Sequence, residues 1–408
     1  MRHIISFLSA LVLVHTVAYS QNNEDYMDYR RSSLCSFLIN HTDQKFASEI
    51  HDAFLEIPTP DKFNDHDLSV KVISLDNKLD KAGSSNENSQ ISDFLGKNKV
   101  ASRLIGKWFN RDSYTGVCNM FLVQQRGLYN ATEFDKQLAQ RSARGMALLE
   151  DAGEDLIQNT FVLVNDIKYI DKQKTAKAAG VGLRVLGSLI ASYTGTNIDN
   201  LTDNLGDMIE TIKGFKVKIN TFLYQLEWDD ETAQLFYQER YAAYPDSIKR
   251  NAFENGRGEY KLKYIGKVES TGNQTSFMGI NEDQPNLMVR KACQRAIDEN
   301  IVDLQKKYDT FRTKTSIVTD SPITAYIGMK EGVNSRSRFE VLEKVLSEDG
   351  KINYNRVAVI APIENLIWDN RFMAKEENSP TASLGFTTFK KVSGKEVLKG
   401  MLIREITK

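Results

Sequence analysis

The sequence predicts an α/β protein, with a mixed sheet flanked by helices, followed by a small all-β domain like a barrel. An apolar run at residues 161–164 predicts a strand that is buried on both faces at the centre of a sheet. Amphipathic helical stretches before and after this run predict the helices that cover it. Beyond residue 312, short apolar runs separated by turn residues are typical of a small barrel.

On this basis the chain divides into four parts, which are residues 1–20, 21–68, 69–312 and 313–408. The first part is a predicted signal peptide, and the second is a predicted helical or irregular segment. The third part is the predicted α/β domain, which contains a glycine- and alanine-rich insert at residues 176–195. The fourth part is the predicted barrel.

The N-terminal segment has the order of a secretory leader. Arg2 and His3 form a basic start, residues 4–14 are almost wholly apolar, and Ala18 and Ser20 are small at the positions that a signal peptidase reads. The apolar run is too short to span a bilayer as a stable helix. A buried N-terminal helix is the alternative. We expect export, with the mature chain in the periplasm, at the periphery of the outer membrane or outside the cell.

Helix and strand signals alternate in the next part of the chain. Apolar residues at helical spacing predict a helix that Pro58 and Pro60 end, and residues 70–75 predict a strand. Residues 120–123 predict a further strand. In residues 215–228, a long predicted strand, the apolar phase shifts midway, which indicates a bulge or a strand that passes between two environments.

The later elements follow from equally local signals. Thr132 and Asp135 have the spacing of a capping box, and Pro285 begins a strongly amphipathic helix. In the last part, Asp349-Gly350 and Ser393-Gly394 mark turns between short strands.

The composition excludes several classes of function. The chain has 53 Lys and Arg against 54 Asp and Glu, and removal of Arg2 with the leader changes its formal net charge from −1 to −2. This balance gives no electrostatic reason to expect nucleic acid as a partner. The three cysteines are far apart and odd in number, so they predict no disulfide framework or zinc site. Cys35 and Cys118 could still pair, whereas Cys293 is predicted to lie in the core.

The sequence also argues against histidine catalysis. Two histidines leave with the leader, and His41, His51 and His66 lie in the segment without strong structural signals. No HExxH, CxxC, Walker-type loop or GxSxG motif occurs. We therefore expect no catalytic residues, no metal and no cofactor, and we predict that the protein is not an enzyme.

The densest acidic cluster lies where the long predicted strand ends. Its members are Glu227, Asp229, Asp230 and Glu231. Carboxylates this close could bind calcium or act as an acid and base pair. A solvated turn is the simpler interpretation, because Asp and Glu are common in turns. Tryptophans could stack on sugars, but the patterns around Trp108 and Trp228 favour the core.

The glycine- and alanine-rich insert contains the predicted interaction residues. Small residues allow backbones to approach closely, as in glycine-mediated helix pairing. The stretch is too short for a relaxed transmembrane helix and carries a charge. A buried hydrophobic helix, and contact with a second copy or a membrane surface, both stay open. The candidates are Gly180, Gly182, Arg184, Gly187 and Ile190.

Several local patterns between residues 70 and 312 occur in a recognisable order. Arg126-Gly127 precedes a helix, residues 160–166 form a strand, the glycine-rich insert leads into a long strand, and the last helix carries Ala296-Ile297. In this order the region resembles the α/β domain of the curli-secretion channel lipoprotein family and the related N-terminal domain of the translocation protein TolB. The added C-terminal barrel is similar to the layout of flagellar assembly protein T.

The resemblance implies a non-enzymatic cell-envelope protein that assembles, scaffolds or binds. Its partners would be a second copy of the chain, another envelope protein or a membrane surface, and not nucleic acid. Unlike the channel family, the sequence has no cysteine after the predicted cleavage point, which argues against a lipidated outer-membrane channel. The alternatives are an envelope hydrolase with carboxylates near Trp228, and an adhesion or glycan-binding module that uses the barrel.

The leader makes a direct prediction about the mature N-terminus. If the protein is exported, cleavage after Ser20 leaves a chain that begins at Gln21. Mass spectrometry of the N-terminal peptide of the purified mature protein should show Gln21 as the first residue. An intact Met1 on that protein would contradict the predicted export.

Overall fold

The computed structural model describes residues 31–75, 87–130, 153–170, 215–273, 285–346 and 352–407. The strands of the first sheet are β1 Ser32–Ile39, β2 Phe63–Asp65, β3 Val72–Ile73, β4 Thr160–Tyr169, β5 Lys216–Leu226 and β6 Leu262–Asn273. The helices are α1 Ala47–Glu56, α2 Glu87–Lys97, α3 Val100–Trp108, α4 Phe121–Asn130, α5 Asp230–Leu235, α6 Ser247–Asn255 and α7 Pro285–Lys307. The strands of the second sheet are β7 Thr315–Asp320, β8 Ile323–Ala325, β9 Phe339–Leu346, β10 Ile352–Pro362, β11 Thr387–Gly394 and β12 Leu402–Glu405.

The first sheet is mixed and has helices on both faces, as predicted. Its strand order is β2-β1-β4-β5-β6, and β3 pairs with the same edge of β1 as β2 does. Strands β1 to β4 are parallel wherever they pair, whereas β5 and β6 add antiparallel pairs. Every residue of β4 from Thr160 to Ile167 is buried, which confirms the predicted central strand.

Residues 21–68 contain a central strand that the sequence did not predict. Strand β1 pairs with β4 on one side and with β2 and β3 on the other. The sequence pattern did not indicate this strand, because serines at positions 32, 33 and 36 occupy both odd and even positions and so interrupt the apolar alternation typical of a strand. The tertiary structure gives these polar groups partners: the Ser36 amide, for example, donates to Asp67 Oδ1 at 3.0 Å. The predicted helix before Pro58 is present as α1.

Residues 120–123, predicted as a strand, instead begin helix α4. The side chain of Asn119 accepts a hydrogen bond from the amide of Phe121 at 3.1 Å, which supports the start of the helix. Phe121 is exposed and Val123 is fully buried, so the apolar residues do not share one face. A short apolar run does not distinguish a strand from one turn of a helix.

The apolar residues of β5 change from odd to even positions midway along the strand, as predicted, because the two faces of the sheet have different covers. Odd positions such as Ile219 and Leu223 pack against α7, whereas even positions such as Tyr224 become apolar only where α2 and α3 cover the opposite face. The predicted bulge also exists, but its extra residue is Ile265 on β6, between Tyr264 and Gly266. An added Cβ at Gly266 would lie 1.8 Å from Tyr308 Oη, so any larger residue there would require the Tyr308 side chain to move.

The second sheet is the predicted barrel, and it is closed. Its strand order is β10-β11-β8-β7-β12-β9, and its pairs are antiparallel. Helix α7 joins it to the first sheet: Arg295 Nη2 donates to Glu377 Oε2 at 2.6 Å and to the Phe372 carbonyl at 2.7 Å. Among the helices that the structure describes, none has the length and apolar character needed to cross a membrane.

Arg126 on α4 is a buried hub of hydrogen bonds. Its Nη1 donates to Ser33 Oγ at 2.8 Å and to His66 Nδ1 at 2.9 Å, and its Nη2 donates to the Asp65 carbonyl at 3.0 Å. The guanidinium carbon lies 4.3 Å from the centroid of the Trp108 ring. One side chain thus fixes α4 to β1, β2 and α3.

Replacing this hub should weaken the α/β unit. In Arg126→Met the stem still packs, but Ser33 and His66 lose a buried donor, so the free energy of unfolding should fall by about 1–3 kcal/mol. Urea denaturation followed by circular dichroism measures the change. Arg336→Met, at an exposed turn, is the control and should change stability by less than about 0.5 kcal/mol. Equal stability of the two variants would show that Arg126 is not a hub.

Candidate functional site

The loop that follows α3 is built around one aspartate. Asp112 Oδ1 accepts hydrogen bonds from the amides of Tyr114 and Thr115 at 3.0 and 2.6 Å, and from Thr115 Oγ1 at 2.8 Å. Hydrogen bonds from Thr115 hold the pKa of Asp112 below its usual value. Gly116 then turns the chain with a φ of +77°. These bonds place the Tyr114 ring at the tip of the loop.

A second turn lies at the start of α6. Asp246 accepts hydrogen bonds from the amides of Ile248 and Lys249 at 2.9 and 3.0 Å, so it caps the helix. Ile248 lies in the first turn of helix α6, and Tyr244 lies two residues before the capping residue Asp246. Both side chains project into solvent.

The two turns contact each other. The Cys118 amide donates to the Ala242 carbonyl at 2.8 Å, and Arg250 Nη1 donates to the Tyr114 carbonyl at 3.2 Å. An added Cβ at Gly116 would lie 2.8 Å from the Cβ of Arg250, so glycine permits this close contact. The contact joins the segments that carry the most exposed large apolar side chains of the described residues.

We call these three side chains, Tyr114, Tyr244 and Ile248, the aromatic patch. Their exposed fractions are 87, 82 and 80%. Single exposed apolar residues are ordinary on protein surfaces, but three on adjoining fixed turns are typical of a contact surface. Tyrosine is enriched in protein interfaces because it presents a large rigid ring with a polar end.

Residues of a cluster of tilted and edge-on aromatic rings flank the two turns in the chain. Phe109 and Phe236 have ring centroids 4.4 Å apart, and Tyr241 lies at 6.0 and 6.1 Å from these two. Trp228 packs on the same rings, at 5.6 Å from Phe236. Phe109 and Tyr241 directly adjoin the two surface turns in the chain. The segments that lead into both turns are therefore anchored in the core.

The structure places the histidines differently from the sequence interpretation, which assigned them to a poorly structured segment. His66 is fully buried: its Nε2 donates to the Leu104 carbonyl at 3.0 Å, and its Nδ1 accepts from Arg126. Burial, reinforced by Arg126, lowers the pKa of His66 well below its usual value, so the ring is neutral. His66 therefore stabilises the fold and is not available for proton transfer.

His41 lies at the carboxyl ends of the parallel strands β1 and β4, where α/β sheets often bind ligands. Its Nε2 is 2.5 Å from Asp166 Oδ1, and Lys168 Nζ is 3.1 Å from Asp166 Oδ2. Burial raises the pKa of Asp166, but His41 and Lys168 outweigh this effect and lower it. Each carboxylate oxygen already has a cationic or hydrogen-bonding partner, so the group is an ion-pair network.

The acidic cluster is a solvated helix start. Glu227, Asp229, Asp230 and Glu231 are all exposed. Asp229 caps α5 by accepting a hydrogen bond from the Thr232 amide at 2.8 Å. Within the described ranges, no three His, Cys, Asp or Glu side chains are grouped so that they could hold a metal ion. Trp108 and Trp228 lie in the core.

The other sequence candidates contribute little to a site. Cys35, Cys118 and Cys293 are free and buried, so the open possibility of a Cys35–Cys118 disulfide is not realised. The predicted interaction residues of the insert lie outside the described residues. They are Gly180, Gly182, Arg184, Gly187 and Ile190.

Sequence interpretation missed the aromatic patch, although signals for it exist. Asp112 followed by Thr115 and Gly116 is a turn pattern, and Asp246 after Pro245 is a helix start. Aromatic residues inside such turns are candidates for exposure. Comparison with known proteins adds no assignment: no family model matches the chain, and no curated protein matches it.

A buried carboxyl group lies on the other side of the sheet. Asp298 on α7 is 8% exposed, and its Oδ2 has no hydrogen-bond partner among the described residues. Burial raises the pKa of Asp298 to about 7; Glu331 and Asp61 act in the same direction, and Lys330 and Arg295 oppose it. The native state therefore holds a proton that the unfolded chain releases at lower pH.

This proton makes stability depend on pH. The pKa of Asp298 rises from 3.8 to about 7 on folding, so the free energy of unfolding should fall as pH increases through this window. The slope contributed by one group is at most about 1.4 kcal/mol per pH unit. In Asp298→Asn this fall should disappear in urea titrations between pH 4 and 8. Asp303→Asn, at an exposed position of the same helix, should keep the wild-type profile.

Proposed function

We propose that this chain is an exported, non-enzymatic protein of the cell envelope that acts by binding another protein in an assembly. The observation that carries the proposal is the aromatic patch. Tyr114 and Tyr244 are held at the tips of two turns that contact each other, so both rings can enter one interface.

The local geometry of the patch supports binding. An aspartate fixes the backbone of each turn, so the backbone needs little reordering when a partner binds. Arg250 lies at the junction of the turns, where its guanidinium donates to the Tyr114 carbonyl. Aromatic residues with a nearby arginine form the usual centre of a protein interface.

The leader and the resemblance support the location and the type of role. The pattern of residues 1–20 favours export, and the envelope families that the chain resembles are assembly proteins. A mixed α/β sheet joined to a closed barrel agrees with the layout on which the resemblance rests. Fold similarity alone does not define a function, so the patch carries more weight here.

The hydrolase alternative has less support. The carboxylates near Trp228 are exposed, and one of them caps a helix. General acid catalysis at neutral pH favours a carboxyl group whose pKa is raised by burial. The pKa of Asp229 is lowered, mainly by hydrogen bonds from Thr232.

Site-specific photo-crosslinking tests the patch as a contact surface. A photoreactive residue at position 114 or 244 should give covalent adducts in intact cells, and the adducts should be found in the envelope fraction. Twice the monomer mass identifies a second copy of this chain, and another mass identifies a different protein. A probe at Val392, which is exposed on β11, is the matched control and should give no adduct.

A double variant distinguishes contact from stability. Tyr114→Ser combined with Tyr244→Ser should abolish the adducts of a probe at position 248, while the free energy of unfolding changes by less than about 0.5 kcal/mol per site. Equal adducts from position 392, or none from positions 114, 244 and 248, would overturn the proposal.

A further inference from the structure

Helix α7 meets the barrel around the buried side chain of Asp298. Its Oδ2 has no hydrogen-bond partner within the described ranges. Gln294, one helical turn earlier on the same face of α7, is also buried and also has a side-chain oxygen without such a partner. A cavity of about 20 Å³ adjoins Asp298, which is room for a single water molecule. A negative charge on Asp298 would therefore need a new partner at this junction.

A turn of the barrel packs on the same part of α7. We call residues 328–333, which lie between β8 and β9, the barrel turn. An added Cβ at Gly332 would lie 2.6 Å from Val302 Cγ1, so the backbone of the turn touches the helix one turn beyond Asp298. Glu331 fixes the turn, because its Oε2 accepts hydrogen bonds from the Gly328 amide at 2.7 Å and from Asn370 Nδ2 at 2.8 Å. Residue 330 is thereby held beside the junction.

Lys330 lies between two carboxyl groups. Its Nζ is 3.5 Å from Oδ2 of Asp61, an exposed residue in the segment before β2. Burial lowers the pKa of Lys330, but the charges of Asp298, Asp61 and Glu331 outweigh this effect and raise it. Burial raises the pKa of Asp298 to about 7, and Lys330 is the cation that opposes this rise most strongly. Each of these two groups therefore acts on the ionisation of the other.

Every element packed around Asp298 contributes charged groups to the junction. They are Arg295 on α7, Lys330 and Glu331 on the barrel turn, Asp61 and Lys62 before β2, and Asp67 and Lys71 between β2 and β3. Arg295 is held by Glu377 at 2.6 Å, and Asp67 and Lys71 pair with each other at 3.2 Å. The acidic neighbours of Lys62 are Glu331 and Glu405. Lys330, with its long flexible stem, is therefore the cation that can move to Asp298.

We propose that Asp298 is a proton switch that decides which carboxylate holds Lys330. When Asp298 is protonated, Lys330 pairs with Asp61 and ties the barrel turn to the segment before β2. When Asp298 is ionised, its buried charge needs a partner, and Lys330 leaves Asp61 to pair with it. The barrel turn is then tied to α7 in place of that segment. The switch makes the link between the two parts of the chain respond to pH, and it depends on neither the aromatic patch nor export.

Nuclear magnetic resonance of the purified protein, labelled with ¹³C at lysine Cε, tests the switch. The signal that is missing in Lys330→Arg identifies Lys330. Between about pH 5 and 9 this signal should move with a midpoint at about pH 7, because Asp298 ionises there. In Asp298→Asn the signal should stay at its low-pH position. Asp303→Asn, at an exposed position of the same helix, should keep the wild-type midpoint.

A second variant, Asp61→Asn, tests the exchange of partners. Asp61 is exposed, so its replacement leaves the fold intact. It should displace the Lys330 signal at low pH, where the two residues pair, and leave it unchanged at high pH, where Lys330 has moved. A Lys330 signal that does not titrate, or that titrates equally in Asp298→Asn, would refute the switch. An equal effect of Asp61→Asn at both ends of the pH range, or no effect at either, would refute it too, because Lys330 would then keep one position throughout.

Discussion

Burial of strand β4 on both faces is the constraint on which the rest of this structure depends. With no residue exposed from Thr160 to Ile167, each face of the sheet needs a helical cover. Helices α1 and α7 form the cover on one face, and α2, α3 and α4 form it on the other. Because α7 also contacts the barrel through Arg295, the same constraint joins the two parts of the described chain.

A strand buried in this way needs a partner for each polar group it carries. Asn165 donates to Ser36 Oγ at 3.1 Å and accepts from Thr221 Oγ1 at 2.8 Å, and Thr221 in turn accepts from Asn300 on α7. On the opposite face, Asp166 is paired with His41 and Lys168. In the sequence, these polar and charged residues resemble candidates for a catalytic or binding site. In the structure, their hydrogen bonds hold strands and helices together. The surface that we propose for binding therefore lies away from the centre of the sheet, in two surface turns.

The turns of the aromatic patch depend on one face of the first sheet. They lie on the face covered by α2 and α3, where β5 becomes apolar at its even positions and the chain then turns through α5 and α6. The segments that lead into the two turns are anchored by a cluster of aromatic rings that includes Trp228 and Phe236.

The sequence by itself determined the features that depend on near neighbours. The run at residues 161–164 and the helix ended by Pro58 are local patterns, and each predicted its element correctly. Tertiary structure decided β1, α4 and the contact between the two turns of the patch. Ser33 lies in a strand because it pairs with Thr160 of β4, and its side chain accepts a hydrogen bond from Arg126, 93 residues away. The Tyr114 carbonyl accepts a hydrogen bond from Arg250, 136 residues away. A sequence pattern indicates which residues close together in the chain are buried. The conformation of these residues depends instead on contacts with residues that are distant in the sequence and become neighbours only in the folded protein.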